Sequence, residues 1–427
     1  MDSYKLVFSK NIDQSSFVSP CPICKTNDNE YLLSATTSYL KKKMRGYRCK
    51  FCHTFYWQDP MIIGYEEKPG EKMHNYKNDI SFIHYLMIGA GIEFGIKFLN
   101  SIKNKKKNLS LLEVGSSFGY NLDYWSNYKG FFSQGLEKSR FGVFGKKILK
   151  INIANKYLEE FNAKKKYDVV LSTDVIEHVK DPLGFINAAK KVLSSRGLIM
   201  ISTPDASYIN SSTDYSQLLG ILSPGYHVNI FSTSGIKQLF IKAGFGHIRI
   251  QQKNGQILVI ASKFSLKNRI RLSENRAEYI RYLNFLSTHN NEMVAEGSRF
   301  RYFKELVNLS KYSEAFRIYQ IIINKLSVKY YFDFSSLHDR NLKSECFLKD
   351  LPPYIGPFFF YSGIMQKHLN ASHEVIVMYF SLALTFLKNT VKSAPHISVE
   401  ASSLIEPAKQ FLIESTANYL KFNEYSK

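Results

Sequence analysis

From residue 109 to about 265, short apolar runs alternate with amphipathic stretches, and this alternation limits the fold more than any other feature of the chain. "LSLLEV", "FFSQGLE", "INIA", "YDVVLST" and "GLIMIST" have the length and composition of buried strands. Helices are predicted over Tyr120–Tyr128, "RFGVFGKKILK" and "DPLGFINAAKKVL", the last with Pro182 at its first turn, while "INIA" leads into "NKYLEEF". A further helix, "STSGIKQLFIKAG", stops at Gly244. Two strands, "HIRIQQKN" and "QILVIASK", then form a hairpin around Asn254-Gly255. Five strand–helix units and a terminal hairpin give an α/β, doubly wound, Rossmann-like sheet of seven strands, mostly parallel with one antiparallel strand.

The first strand runs into "LLEVGSSFGYNLDYW". A dinucleotide site needs glycine where the pyrophosphate meets bare backbone at a helix N-terminus. Here Ser117 takes the place of the middle glycine between Gly115 and Gly119, and its Cβ would crowd a pyrophosphate. Glu113, at the strand end, would repel phosphate but suits an ammonium or a sulfonium. Glu137 ends the second strand, placed to accept both hydroxyls of a ribose.

These segments together resemble the class I S-adenosylmethionine-dependent methyltransferases over residues 109–265, in the branch of ubiquinone and sugar methyltransferases. "LLEVGSSFG" is similar to their first motif, "GLEKS" to the ribose-binding motif and "YLEEF" to the adenine-side loop. "DVVLSTDVIEHVKDP" resembles the fourth-strand signature, and "GYHVNIFSTSGIKQLFIKAGF" the loop and helix before the last strands. The resemblance implies that Glu113, Gly115, Ser116, Ser117 and Gly119 surround the methionine and ribose. It implies that Glu137, with Lys138, holds the ribose edge, that Tyr157 and Leu158 flank the adenine, and that Thr173 and Asp174 lie beside the sulfonium. His178 and His227 are the candidate general bases, since histidine titrates near neutral pH. Some relatives with a similar pattern bind Mg²⁺ through residues corresponding to Asp174, Glu177 and His178.

Four of the five cysteines form two pairs, Cys21/Cys24 and Cys49/Cys52, with 24 residues between the pairs. Two such knuckles aim four thiolates at one point and predict a closed, structural Zn²⁺ in a zinc ribbon over residues 1–60. His53 is not expected to join them, and Cys346 reads as a buried small hydrophobe. Residues 61–108 read as a helical linker, with a helix from about Ile80 to Lys103. After residue 266 only helical periodicity remains. "LSKYSEAFRIYQIIINKL" and "LNASHEVIVMYFSLALTFLK" echo each other there, resembling tetratricopeptide-like helix pairs in an all-α domain over 266–427.

The net charge of +21 comes with many Lys, Asn, Ile and Tyr residues, as an AT-rich genome produces, and the lysine runs 41–43, 105–107 and 164–166 are scattered. Nucleic acid is therefore not the expected partner. The apolar stretches "FIHYLMIGAGIEFGIKFL" and "VIVMYFSLALTFL" are interrupted or, at 13 residues for the second, short of the roughly 20 that a bilayer requires, so no transmembrane segment is expected. With no signal-like N-terminus, the expected location is cytoplasmic.

Sugar C-methyltransferases share the zinc-binding N-terminus and central domain but carry an α/β C-terminus with a glycine-rich motif. The helical C-terminus here favours O-methylation, with nitrogen as the alternative, of a glycan, nucleotide-sugar or related small molecule. Two rival readings remain at this level: an RNA methyltransferase with a zinc module, and a protein that binds or methylates a partner through its helical C-terminus.

Overall fold

The computed structural model describes residues 5–9, 19–36, 43–58, 60, 80–103, 108–271, 276–330, 351–393 and 399–425. Cys346 and the lysine run 105–107 lie outside these residues. Twelve strands are described: β1 Lys5–Phe8, β2 Asn29–Thr36, β3 Met44–Cys49, β4 Phe55–Gln58, β5 Leu111–Val114, β6 Ser133–Leu136, β7 Ile153–Ala154, β8 Tyr167–Thr173, β9 Leu193–Pro204, β10 Asn229–Ile230, β11 His247–Lys253 and β12 Gln256–Ser262.

The runs in β5 and β8 are apolar on both faces because helices cover both, the condition for parallel strands. The sheet has the order β11-β12-β9-β8-β5-β6-β7. β5, β6, β7, β8 and β9 pair in parallel, and β12 runs antiparallel to β9 and β11. The hairpin turn lies at Asn254 (φ 50°) and Gly255 (φ 77°), with Lys253 opposite Gln256. Positive φ at both residues is what a tight type I′ turn requires. The helix Arg140–Leu149 packs onto the backbone of the glycine loop, where a Cβ on Gly145 would overlap the Phe118 carbonyl.

A second sheet has the order β1-β2-β3-β4-β10. Its last strand comes from residues far along the chain, with Asn229 opposite Tyr56 and Ile230 opposite Phe55. One face buries Leu33, Met44, Phe55 and Trp57 against Leu218, Ile221 and Leu222 of the helix Tyr215–Leu222. The other packs Tyr47 and Tyr56 with Ile236, Leu239 and Phe240. The expected boundaries at 60/61 and 108/109 are thus not the boundaries of the fold. Residues 1–73 and 98–274 form one compact unit, and residues 74–97 and 275–427 another. A small sheet with two apolar faces and little mass of its own is covered by the larger domain. The loop expected between β9 and the helix Thr233–Lys242 holds the helix Tyr215–Leu222 and β10, neither of which was expected.

The helix expected over Ile80–Lys103 is two short ones, Ile80–Met87 and Phe94–Leu99. Gly89 (φ 63°) and Gly91 (φ 76°) break it between them.

The second unit is helical in its described residues. The echo in the sequence has a structural counterpart in two helical hairpins, Glu292–Asn308 with Tyr312–Tyr330 and Ile355–His368 with His373–Ser393. Their turns repeat the same backbone bonds at a 60-residue spacing. Leu309 and Leu369 donate to the carbonyls of Glu305 and Met365, and Lys311 and Ala371 to those of Leu306 and Gln366. Ser310 and Asn370 are both left-handed, at φ 58°. This is the closure that a helix C-terminus makes around one αL residue. His373–Lys392 is long and apolar enough to cross a membrane by composition, with a mean hydropathy of 1.3. Here its Tyr379, Phe380, Ala383 and Phe386 are buried in the helical core.

Gly145→Ala forces a Cβ into the glycine-loop backbone and should destabilise the first unit by about 1–3 kcal/mol or more in denaturant unfolding. Gly220→Ala, in an open stretch of the helix Tyr215–Leu222, should be neutral or stabilise by up to about 1 kcal/mol. Equal effects at the two positions would contradict the packing described.

Candidate active site

The glycine loop leaves β5 through three left-handed residues, Gly115 (φ 72°), Ser117 (φ 47°) and Gly119 (φ 91°). A Cβ at Gly115 would overlap Val175, so this loop and the segment after β8 are in contact. The backbone amide of Ser117 donates to Glu137 Oε2 (2.8 Å) and that of Ser139 to Oε1 (2.8 Å). The carboxylate is thereby fixed at the end of β6 with a lone pair still available on each oxygen.

Glu113 is 1% exposed. Its Oε1 accepts from Asn121 Nδ2 (2.7 Å), whereas Oε2 is buried without a partner, as is the Ser116 hydroxyl. Burial, reinforced by the nearby Glu137 charge, raises the Glu113 carboxyl to about 8. Sequence reasoning missed Asn121; a polar residue in the buried first turn after the loop was the available signal. Lys138 Nζ lies 4.9 Å from the ring centroid of Tyr157 and 3.8 Å from Glu160 Oε2. Tyr157 presents its ring at the surface, while Leu158 is buried in the core.

Beyond Thr173 at the end of β8, Asp174 takes φ 54°. Its Oδ1 accepts from the Ser202 hydroxyl (3.0 Å) and, with the Gln256 amide turned so that its nitrogen faces the carboxylate, from that nitrogen (3.1 Å). Glu177 is fully buried. Its Oε2 accepts from the Thr203 hydroxyl (3.1 Å), and its Oε1, which has no hydrogen-bond partner, faces His227 Nε2 at 4.0 Å. Burial and then the neighbouring Asp174 hold Glu177 well above the ordinary carboxyl range.

His178 and His227, 49 residues apart in sequence, meet edge to face with ring centroids 4.7 Å apart. Each Nδ1 is bonded to a carbonyl, that of Tyr226 for His178 (2.9 Å) and that of Ile221 for His227 (2.7 Å). A carbonyl only accepts, so His227 Nδ1 carries hydrogen and Nε2 is the lone-pair nitrogen of its neutral ring. Burial and then His178 lower His227 to about 4, and burial lowers His178. Donor atoms of Glu177, His178 and His227 lie within 4.8 Å of one another, a set able to hold a divalent cation. The set differs from the one the family resemblance implies: Asp174 is not in it, and its Oδ1 accepts from Ser202 instead.

The cysteines converge as well. Cys21 and Cys52 sulfurs are 3.6 Å apart, Cys24 and Cys49 3.4 Å, and all four lie within 4.8 Å. Four thiolates around Zn²⁺ at about 2.3 Å would be roughly 3.8 Å apart, so the set fits a tetrahedral ion. Each knuckle turns through a left-handed residue, Lys25 (φ 69°) and His53 (φ 56°), whose amide donates to the carbonyl of the first cysteine. His53 is exposed and outside the sulfur cluster. The knuckle anchors the segment after β10, because the hydroxyls of Ser232 and Ser234 (2.8 Å for the latter) both donate to the Cys52 carbonyl.

Residues 92–249 match the family model described as a methyltransferase domain. The chain is 28% identical over 156 residues to the ubiquinone biosynthesis O-methyltransferases of two strains of Rickettsia bellii, covering 36% of this chain and 54% of theirs. It therefore spans about half the length of these relatives. Among solved structures it is similar to the plantazolicin methyltransferase BamL bound to a substrate analogue and SAH (15% identity, 45% of this chain and 92% of that one, TM-score 0.35). Another is an O-methyltransferase family protein from Burkholderia thailandensis (14% identity, 42% and 55%, TM-score 0.33).

Glu113 has a folded-state pKa above its ordinary value, so the stability it contributes is complete below about pH 4.5 and is lost as pH rises through about 8. Glu113→Gln removes that loss. The stability of the variant relative to wild type should therefore increase between pH 5 and 9, by an amount on the order of a few kcal/mol. A difference independent of pH in matched melting curves would contradict the burial of an ionisable carboxyl there.

Proposed function

We propose that this chain transfers a methyl group from S-adenosylmethionine to an oxygen of a glycan, nucleotide-sugar or related small molecule. The observation that carries the reading is the loop at the carboxyl end of β5, with the Glu137 carboxylate held by the Ser117 and Ser139 amides beside it. The match of residues 92–249 to a methyltransferase domain supports it. The residues present fit the cofactor. The buried Glu113 Oε2 lacks a partner that an ammonium would supply, Glu137 retains lone pairs for two hydroxyls, and Lys138 with Tyr157 forms an open edge for a base.

When bound, the cofactor supplies a methyl group on a sulfonium, a good leaving group, and holding the acceptor oxygen in line accounts for most of the barrier lowering. The acceptor's proton goes to His227 Nε2, with Glu177 Oε1 facing it across 4.0 Å. A ring held at about 4 is a weak base at rest. It suffices for a hydroxyl that becomes strongly acidic only as its oxygen bonds to carbon. His178 keeps His227 in place through the edge-to-face contact. The four cysteines hold a structural Zn²⁺ that fixes the knuckle beneath the segment following β10.

Calorimetry with S-adenosylhomocysteine tests the cofactor assignment. Glu137→Ala should weaken binding at least about tenfold, the loss of hydrogen bonds to a charged acceptor. Unchanged affinity would refute the ribose role. Because an ammonium favours ionised Glu113, binding near pH 7 should release a proton and tighten as pH rises towards 8, and Glu113→Gln should abolish both effects.

Metal analysis should find about one zinc per chain bound by the cysteines. Stripping that zinc should reduce methyl transfer far more than S-adenosylhomocysteine affinity, since the knuckle anchors the acceptor side and Ser139 and Ser117 anchor Glu137. Parallel losses would refute that division.

A further inference from the structure

A cleft in the first unit, away from the glycine loop, collects positive charge. It has a volume of about 740 Å³ and is lined by Lys103, His247, Arg249, Lys267, Asn268 and Arg271 together with three apolar side chains, and among the described residues no acidic side chain lines it. Three pieces of chain build it. His247 and Arg249 are two residues apart at the start of β11, so they share a face. An isolated antiparallel bridge joins Ile102 to Ile270, flanked by bonds from the Lys103 amide to the Arg269 carbonyl (2.8 Å) and from the Arg271 amide to the Ser101 carbonyl (2.6 Å). Lys103 and Arg271 directly follow the two bridged residues, and Ile270 itself contributes to the cleft wall. The turn before it carries Lys267 and closes through left-handed Asn268 (φ 63°).

Among the described residues the four cations Lys103, Arg249, Lys267 and Arg271 have no neutralising partner of their own: none of them takes part in an ion pair with a carboxylate. The charge behind them has the same sign. Arg269 lies beneath the cleft with its guanidinium on Ser262 Oγ (3.0 Å) and the Arg196 carbonyl, and burial and then the Arg196 charge lower it. Like charges gathered in one concavity repel unless a counter-charge enters.

We propose that this cleft binds a diphosphate-bearing small molecule. Two phosphate groups bring roughly three negative charges, and guanidinium forks grip phosphate oxygens in pairs. The volume is that of a site for a small ligand, not a track along a polymer. This site is separate from the cofactor loop. His247 pairs with Ser262 at one end of β12, whereas Gln256 at the other end pairs with Pro204, where the parallel strands reach their carboxyl ends. About 20 Å of strand lies between the two ends.

Calorimetry on the full chain with inorganic pyrophosphate and with uridine diphosphate is the test, beside a single-stranded RNA oligonucleotide. Both diphosphates should bind at low salt. Affinity should fall at least about tenfold in the R249A/K267A/R271A variant, and also when salt is raised from about 50 to 200 mM. S-adenosylhomocysteine binding and the melting temperature of that variant should stay at wild-type values, which separates loss of the site from loss of the fold. Absence of diphosphate binding, or its persistence in the triple variant, would overturn the proposal. So would RNA that binds about tenfold tighter than either diphosphate and loses affinity in the same variant, since the cleft would then be a nucleic-acid contact.

Discussion

The pairing of β4 with β10 holds the first unit together. Only two residues of β10 take part, yet they join a cysteine-bearing sheet to the loop that carries His227. Val228 is bonded at both ends of its peptide: its amide donates to the Glu177 carbonyl (2.7 Å) and its own carbonyl accepts from the Trp57 amide (3.2 Å). A continuous line of backbone bonds therefore runs from the cysteine knuckles to the buried acid of the candidate site. The N-terminal sheet is thus a wall of the site and not an appendage. This is why its two apolar faces are covered by residues from beyond position 200.

Two buried carboxyl groups, Glu113 and Glu177, lie at or just beyond the carboxyl ends of β5 and β8, and burial raises both. Such groups cost stability unless something compensates them. Asn121 and Thr203 supply one hydrogen bond each, leaving Glu113 Oε2 and Glu177 Oε1 unsatisfied. The two unsatisfied oxygens mark the places where a ligand or proton would relieve the fold, one on the side of the glycine loop and one against His227.

What could be read in the sequence was what local chemistry determines. The Asn254-Gly255 turn, the two knuckles, the glycine loop and the apolar strands each depend on residues within a few positions. The echo between 309–326 and 369–388 was also visible, because the same αL turn after Leu309 and after Leu369 leads each time into a helix of apolar and aromatic residues. What could not be read depended on distant contact. β10 has too few residues to show a strand pattern, and it is a strand because β4 lies beside it. Glu177 and His227 are 50 positions apart, and only the folded chain brings them to 4.0 Å. Asp174 matched a metal-binding pattern by spacing, but its partners Ser202 and Gln256 come from β9 and β12.

The β4–β10 pairing also has a consequence for the order of synthesis. Tyr56 and Asn229, partners in that ladder, are separated by 173 positions. At about 5–20 residues per second on the ribosome, β4 waits roughly 9 to 35 s before its neighbour exists. Through that interval it is an open edge bearing Phe55, Tyr56 and Trp57, the kind of strand that recruits other chains. Early capture of the knuckles, which need only residues up to 52, would shorten the time that this aromatic edge spends without order.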